Sequence, residues 1–255
     1  MTQTSNAFPY QSFIPYYANG LQISNDATTP NSVLDVATGT ILDSTGTWQL
    51  NLSTATTLST ATTGINGLDS GTIADSTLYA VYVVADVVKD LGTGIMLSLA
   101  SNSSPTLPYG YQAYAKIGYV ATDSSAHILL GYWRGTESNS RVFMYDSPQS
   151  VLSGGNATSA SSISLAQFVP PVADIPIILN ISYTGATAST NSVKVRPYGA
   201  TGYPVIATCQ VASVILTDQQ LVFTGLNSST PEIQYIVSNS SDSASLHVAG
   251  YQFSI

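Results

Sequence analysis

Apolar and polar residues alternate along most of this chain, and the period is two. In "TWQLNL", Trp48, Leu50 and Leu52 fall on one side, while Thr47, Gln49 and Asn51 fall on the other. "IILNISY" places Ile177, Leu179, Ile181 and Tyr183 together, and "SVKVRP" sends Val193 and Val195 inward with Lys194 and Arg196 outward. That is the spacing of half-buried strands, and no helical period of 3.6 competes with it. "LYAVYVVA" (78–85) is apolar on both sides, as expected of a strand inside a covered sheet. Gly, Asn, Asp, Ser and Pro interrupt these runs at intervals of roughly 8–15 residues. The pattern predicts an all-β protein, an antiparallel β-sandwich of jelly-roll-like form.

Several segments depart from simple alternation. In "LHVAGYQFSI", Leu246 and Val248 share a side, but after Gly250 the apolar set becomes Tyr251, Phe253 and Ile255. One extra residue at Ala249–Gly250 restores the phase, which predicts a β-bulge. "LSTATT" occurs at 52–57 and again at 58–63, and reads as a polar loop or an edge strand. "SGGNATSASS" (153–162) reads as a flexible loop and "VPPVADIP" (169–176) as a stiff crossing between sheets. The opening "NAFPYQSFIPYYANG" has two prolines, five aromatics and no clean alternation. It predicts an extended N-terminal arm over residues 1–20, lying on its own domain or along a neighbouring subunit. A β segment over 21–63 then packs on the main sandwich, residues 64–255.

The chain has 255 residues, enough to bury a sizeable core. Charged residues make up only 8%, so the surface is built from Ser, Thr, Asn, Gln and Tyr. The net charge of −8 comes from acids spread singly, without any basic patch. Nucleic acid and membrane are therefore not expected as partners. "MTQTSNAFPY" has neither a basic nor an apolar leader region, so synthesis in a cytoplasm without secretion is expected.

Candidate chemistry is sparse. His127 and His247 are far apart, each between apolar neighbours, and Cys209 is the single cysteine. No zinc or calcium spacing occurs, and no metal or cofactor is expected. Cys209 sits in "VIATCQV", where Val205, Ala207, Cys209 and Val211 share one strand face, so it reads as a small buried hydrophobe. A G-x-S-x-G elbow is absent. Glycoside hydrolysis needs two positioned carboxyls, and the only glutamates are Glu137 and Glu232. Asp86, Asp90, Asp123 and Asp146 supply possible partners, but most stand beside Gly, Ser or Pro, where Asp caps turns. No catalytic residue is assigned, and the protein is expected not to be an enzyme.

The aromatics are the remaining candidates. Tyr109, Tyr111, Tyr114, Tyr119, Tyr132 and Trp133 could stack on sugars, or could serve as strand residues with amphipathic tips. In "LPYGYQAYAKIGYVATD" (107–123), Pro108 and Gly110 predict a turn, after which Ile117, Tyr119 and Ala121 form one strand face.

This segment also carries a resemblance. "GLDSGTIADSTLYAVYVVAD" followed by "LPYGYQAYAKIGYVATDSSAHIL" resembles a group of tailed-bacteriophage virion proteins labelled tail fibre or structural protein. The matching residues are Gly67, Leu68, Asp69 and Gly71, then Leu107, Pro108, Gly110 and Tyr111, then Ile117, Gly118, Val120, Thr122 and Asp123. "VPP" at Val169, "VKVRPYG" from Val193 and the earlier "GLQISNDATTPNSVLDVATG" fit the same pattern, so the resemblance spans most of 16–200. Relatives carry one or two arginines before I-G-x-V, where this chain has "AYAK".

The resemblance implies a β-sandwich scaffold in a symmetric assembly, and it carries no catalytic residue across. The leading expectation is a structural component of a virion: a capsid decoration, collar or tail/fibre protein. Its partners would be other virion proteins and copies of itself, with a trimer favoured among homo-oligomers. The alternative is a receptor-binding module reading host surface glycans with tyrosines. A depolymerase is disfavoured by the few carboxylates.

Overall fold

The computed structural model describes residues 7–9, 18–88, 92–135, 140–187 and 191–254. Among these, every regular element is a β-strand. Among the described residues no helix is long and apolar enough to cross a membrane. The chain divides into two compact units, one running up to Phe143 and including Ser254, the other Met144–Phe253.

Along the first unit run β1 (Ala7–Pro9), β2 (Ala18–Gly20), β3 (Ile23–Asn25), β4 (Val33–Val36), β5 (Gly39–Leu42) and β6 (Trp48–Leu52). β7 (Thr56–Ser59), β8 (Gly67–Leu68), β9 (Leu78–Ala85), β10 (Thr93–Leu99), β11 (Ala113–Ala121) and β12 (Gly131–Arg134) follow. They are ordered β1-β6-β5-β2, β11-β9-β10-β8 and β12-β3-β4-β7. All pairs with a defined register are antiparallel except β8–β10, which is parallel. β6 packs across β9, β10 and β11. On the other side of that sheet, Gly118 of β11 faces Ile23 and Trp133 so closely that a Cβ would lie 2.5 Å from Ile23 Cδ1. Covered on both faces, β9 is buried at every residue, as its unbroken apolar run predicts.

β13 (Ser140–Gly155) carries the chain from the first unit into the second. There follow β14 (Ser161–Ser164), β15 (Pro176–Thr184), β16 (Asn191–Pro197), β17 (Val205–Cys209), β18 (Ile215–Phe223), β19 (Gly225–Asn227), β20 (Thr230–Val237) and β21 (Ser243–Ser254). The second unit has one sheet ordered β18-β15-β21-β13 and another ordered β14-β20-β16-β17, with β19 beside β20. β17 lies against β15 and β18, so the two sheets face each other as a sandwich. Its core is the alternating set Ile177, Leu179, Ile181 and Tyr183 against Val193, Val195, Ile233 and Val237, all 2% exposed or less. The 169–176 segment does join one sheet to the other, from β14 to β15.

Two bulges shape the strands. In β21, Val248 pairs with Leu179 and Gly250 with Ile178, leaving Ala249 as the extra residue. In β11, Lys116 pairs with Tyr82 and Gly118 with Val81, leaving Ile117 as the extra one. The first matches the phase change in the sequence. The second corrects the expected face of Ile117, Tyr119 and Ala121: Tyr119 and Ala121 stay opposite Ala80 and Leu78, but the bulge removes Ile117 from their row.

Other expectations are revised in the same way. Ser153–Gly155 end β13 and Ser161–Ser162 begin β14, so the loop is only 156–160. Val211 lies beyond the end of β17 and is 58% exposed, while Val205, Ala207 and Cys209 are buried. The second "LSTATT" copy begins in β7, a strand at the end of its sheet. Of the expected arm, residues 7–9 pair with β6 and 18–20 with β5, and the rest lies outside the described residues. The division between units falls at Phe143–Met144. Because it lies inside one strand, no turn residue or change in composition marks it.

Candidate functional site

The six aromatics singled out from the sequence do not form one platform. Tyr109 stands on the turn closed by the Tyr111 N–H to Pro108 carbonyl bond, and is 89% exposed. Gly110 takes φ +96° in that turn, a conformation open to glycine at little cost. Tyr132 is 42% exposed, with the Arg134 guanidinium 5.3 Å from its ring centre. Trp133, next in sequence, points the other way and packs at 4.7 Å on Phe143 in the core.

Tyr114 and Tyr119 instead join Tyr82 around Lys116. The Lys116 ammonium lies 5.0 Å from the Tyr119 ring and 5.6 Å from the Tyr82 ring, and donates to Tyr119 Oη at 3.0 Å. Tyr82 meets Tyr114 edge to face. Burial pushes the Tyr119 hydroxyl up to about 12. It raises Tyr82 as well, an effect the Lys116 charge partly offsets. The cation of "AYAK" is thus held by aromatic faces of its own sheet.

The acids are mostly occupied with backbone. Asp123 accepts from Ser125 N–H and His127 N–H, and these bonds hold its carboxyl below the usual range. Asp86 accepts from Val88 N–H. Asp26, Asp43 and Asp242 each take two backbone N–H groups in the same fashion. Asp242 also accepts from the buried Tyr183 hydroxyl, which burial and this carboxylate both drive upward. Asp146 lies exposed on β13 rather than at a turn. Glu232 is nearly buried on β20, with one oxygen bonded to Asn227 Nδ2 and the other without a partner. Glu137 and Asp90 lie outside the described residues. His127 is paired with Asp123 at 3.4 Å, and His247 is half-buried on β21. No group of three or more His, Cys, Asp or Glu stands together among the described residues. Cys209 is buried, its thiol 3.1 Å from the Val211 carbonyl.

Two features escaped sequence reasoning. Arg141 is 1% exposed, and its guanidinium donates to the carbonyls of Gly20, Leu21 and Ile117. Gly20 and Leu21 have φ of 70° and 55°, so the turn from β2 to β3 aims both carbonyls at it. Ile117 is the bulged residue, whose carbonyl the ladder leaves over. Desolvation pulls the guanidinium down to about 10, so it remains charged at neutral pH. The second feature is β18, where alternation is inverted: Ile215, Leu221 and Phe223 face solvent at 66%, 58% and 47% exposure. Val211 and Val214, in the preceding turn, are similarly open. Hydrophobic period alone assigns these residues to the core.

No family model matches the chain, and no curated protein matches it. Among solved structures, it is similar at 11% identity and TM-score 0.24 to Arthrobacter globiformis T6 isomalto-dextranase complexed with panose. It aligns at 10% and 0.23 with infectious bursal disease virus Gx strain, and at 8% and 0.19 with Bacillus thuringiensis insecticidal crystal protein Cry7Ca1. The alignments cover 93%, 98% and 93% of this chain, and 36%, 75% and 52% of those chains. Likeness this slight carries no functional argument.

Proposed function

We propose that the protein is a structural component of a bacteriophage virion, a capsid decoration, collar or tail/fibre protein acting through protein–protein packing. The observation that carries this reading is the set of apolar side chains Ile215, Leu221 and Phe223 that one strand, β18, turns to solvent along a single face. Apolar side chains in such a row are stabilised when a neighbouring protein covers them. The resemblance of most of residues 16–200 to virion proteins supports the same role, as does the use of most described acids to cap backbone rather than to face one another.

Receptor binding is less favoured. Of the candidate aromatics, Trp133 and Tyr119 are buried, and the exposed Tyr132 already lies against Arg134. The test is to add purified protein to particles lacking it, and to locate it by electron microscopy. Binding at defined, symmetry-related positions is expected. Failure to bind particles, together with competition against phage for adsorption to host cells, would replace the architectural role with the receptor role.

A further inference from the structure

Strands at sheet ends expose unpaired N–H and C=O groups, and folded proteins guard them with short length, Lys, Pro or bulges. The end strands β1, β2, β7, β8, β14 and β17 are two to five residues long. The nine-residue β11 carries Lys116 and a bulge, and is largely buried. β18 is also nine residues long, yet has no Lys, Arg or Pro and pairs with β15 without a register shift.

The free side of β18 can be identified. Thr224 N–H bonds the Ile175 carbonyl, in the same frame as the β15–β18 pairing. Even-numbered residues of the strand therefore bond β15, and odd-numbered ones turn their backbone groups to the open edge. Gln219 agrees: its N–H goes to Asp218 Oδ1, not to β15. The same odd residues, Ile215, Thr217, Gln219, Leu221 and Phe223, are the exposed ones.

We infer that this edge pairs antiparallel with β18 of a second copy, about a two-fold axis through Gln219. That register places Ile215 opposite Phe223, Thr217 opposite Leu221, and Gln219 opposite its own counterpart. All nine residues are paired, and the odd ones form the hydrogen-bonded pairs. Charge and the extent of pairing favour this register: Asp218, the single charged residue between Val205 and Leu226, then faces Gln220, which it already accepts from in its own strand. Sliding the partner by two residues in one direction would set Asp218 against Asp218, like charges directly opposite, and sliding it either way leaves the ends of the strand unpaired. For a molecule of net charge −8, this uncharged row is a surface on which two copies can meet without repulsion.

The contact is isologous and closes as a dimer, whereas a three-fold ring needs two different surfaces. It deepens, and rests on, the reading of the protein as an assembly component. One strand pair alone buries less than a standard interface, so the dimer is expected to be concentration-dependent.

The test combines sedimentation of the full chain over a concentration series with directed crosslinking. Gln219→Lys, at an exposed position, sets two ammonium groups face to face. It is expected to weaken dimerisation roughly tenfold or more, with melting unchanged at concentrations low enough for both chains to be monomeric. In Gln219→Cys the paired Cα atoms stand about 5.5 Å apart, within disulfide reach. Mild oxidation should give a covalent dimer, while Ser150→Cys, exposed on β13 three strands along the sheet from β18, should not. Dimerisation of Gln219→Lys as strong as wild type, or equal crosslinking at Ser150→Cys, overturns the edge contact but leaves the assembly role standing. A wild-type chain that stays monomeric and also fails to bind particles removes both.

Discussion

Arg141 sets the sharpest energetic question at the scale of single residues. It is a buried cation whose partners are three carbonyls rather than a carboxylate. Its shift from 12.5 to about 10 corresponds to a desolvation cost of about 3 kcal/mol. Replacing it by Met removes that cost but orphans three buried acceptors, at about 1–3 kcal/mol each. The orphaned acceptors outweigh the relief, so Arg141→Met should lower stability by about 3 kcal/mol, read from urea midpoints. Arg141→Lys, which keeps the charge but loses the fork, should fall between the two. A neutral or stabilising Met would mean that water reaches these carbonyls. Nothing in "SRVFMYD" marks this role: both sides of the strand are apolar, Val142 and Met144 against Phe143 and Tyr145. The turn function of Asp123, in contrast, was legible from its neighbours Thr122 and Ser124, because Asp–Ser chemistry is local.

Strands and bulges are where the sequence was most readable, and where it misled in one instructive case. The extra residue at Ala249 could be placed from the chain because both flanking pairs are large and apolar. Val248 and Tyr251 can be buried together only if one residue is spare. Deleting Ala249 should therefore turn Tyr251 and Phe253 toward the wrong face, costing about 4 kcal/mol or more, with loss of a cooperative melt by circular dichroism. The Ile117 bulge was hidden because Ile117 is itself buried and fits either phase. Its only signal was the glycine that follows it within a strand. At Gly118 an added methyl would meet Ile23 Cδ1 at 2.5 Å and the Trp133 ring at 3.1 Å. Gly118→Ala should cost about 1–3 kcal/mol. Ile23→Val removes the blocking carbon, so the double variant should lose less than the sum of the singles. Strict additivity would show that the backbone shifts instead. The β18 edge was unreadable for another reason: alternation reports that two faces differ, not which of them meets solvent.

For the molecule as a whole, the scarcity of charge determines how stability responds to solution conditions. His127–Asp123 is an exposed pair, so acid reaches little ion-pair energy among the described residues. Asp26 and Asp123 do have lowered pKa values, through N–H bonds from Thr29 and His127 first of all. Groups of this sign stabilise above their unfolded value of 3.8, and the contribution fades as pH falls through the folded one. Both carboxyls face water, which keeps that limb shallow. The alkaline limb has the opposite origin. Tyr82, Tyr119, Tyr145 and Tyr183 are all raised by burial, Tyr119 from 10.0 to about 12. The unfolded chain releases these protons first, so stability is complete below pH 10 and is lost as pH climbs toward 12. Arg141 runs against this trend, since its lowered value favours the folded state at high pH, but it is one group against these four and Tyr79 and Tyr111, which burial raises as well. Urea midpoints should be flat between roughly pH 5 and 9, decline gently in acid, and drop steeply beyond 10. Tyr145→Phe, which removes one buried hydroxyl bonded to the Phe168 carbonyl, should lower the plateau and flatten the alkaline drop. An alkaline slope unchanged in that variant would show that other groups titrate there.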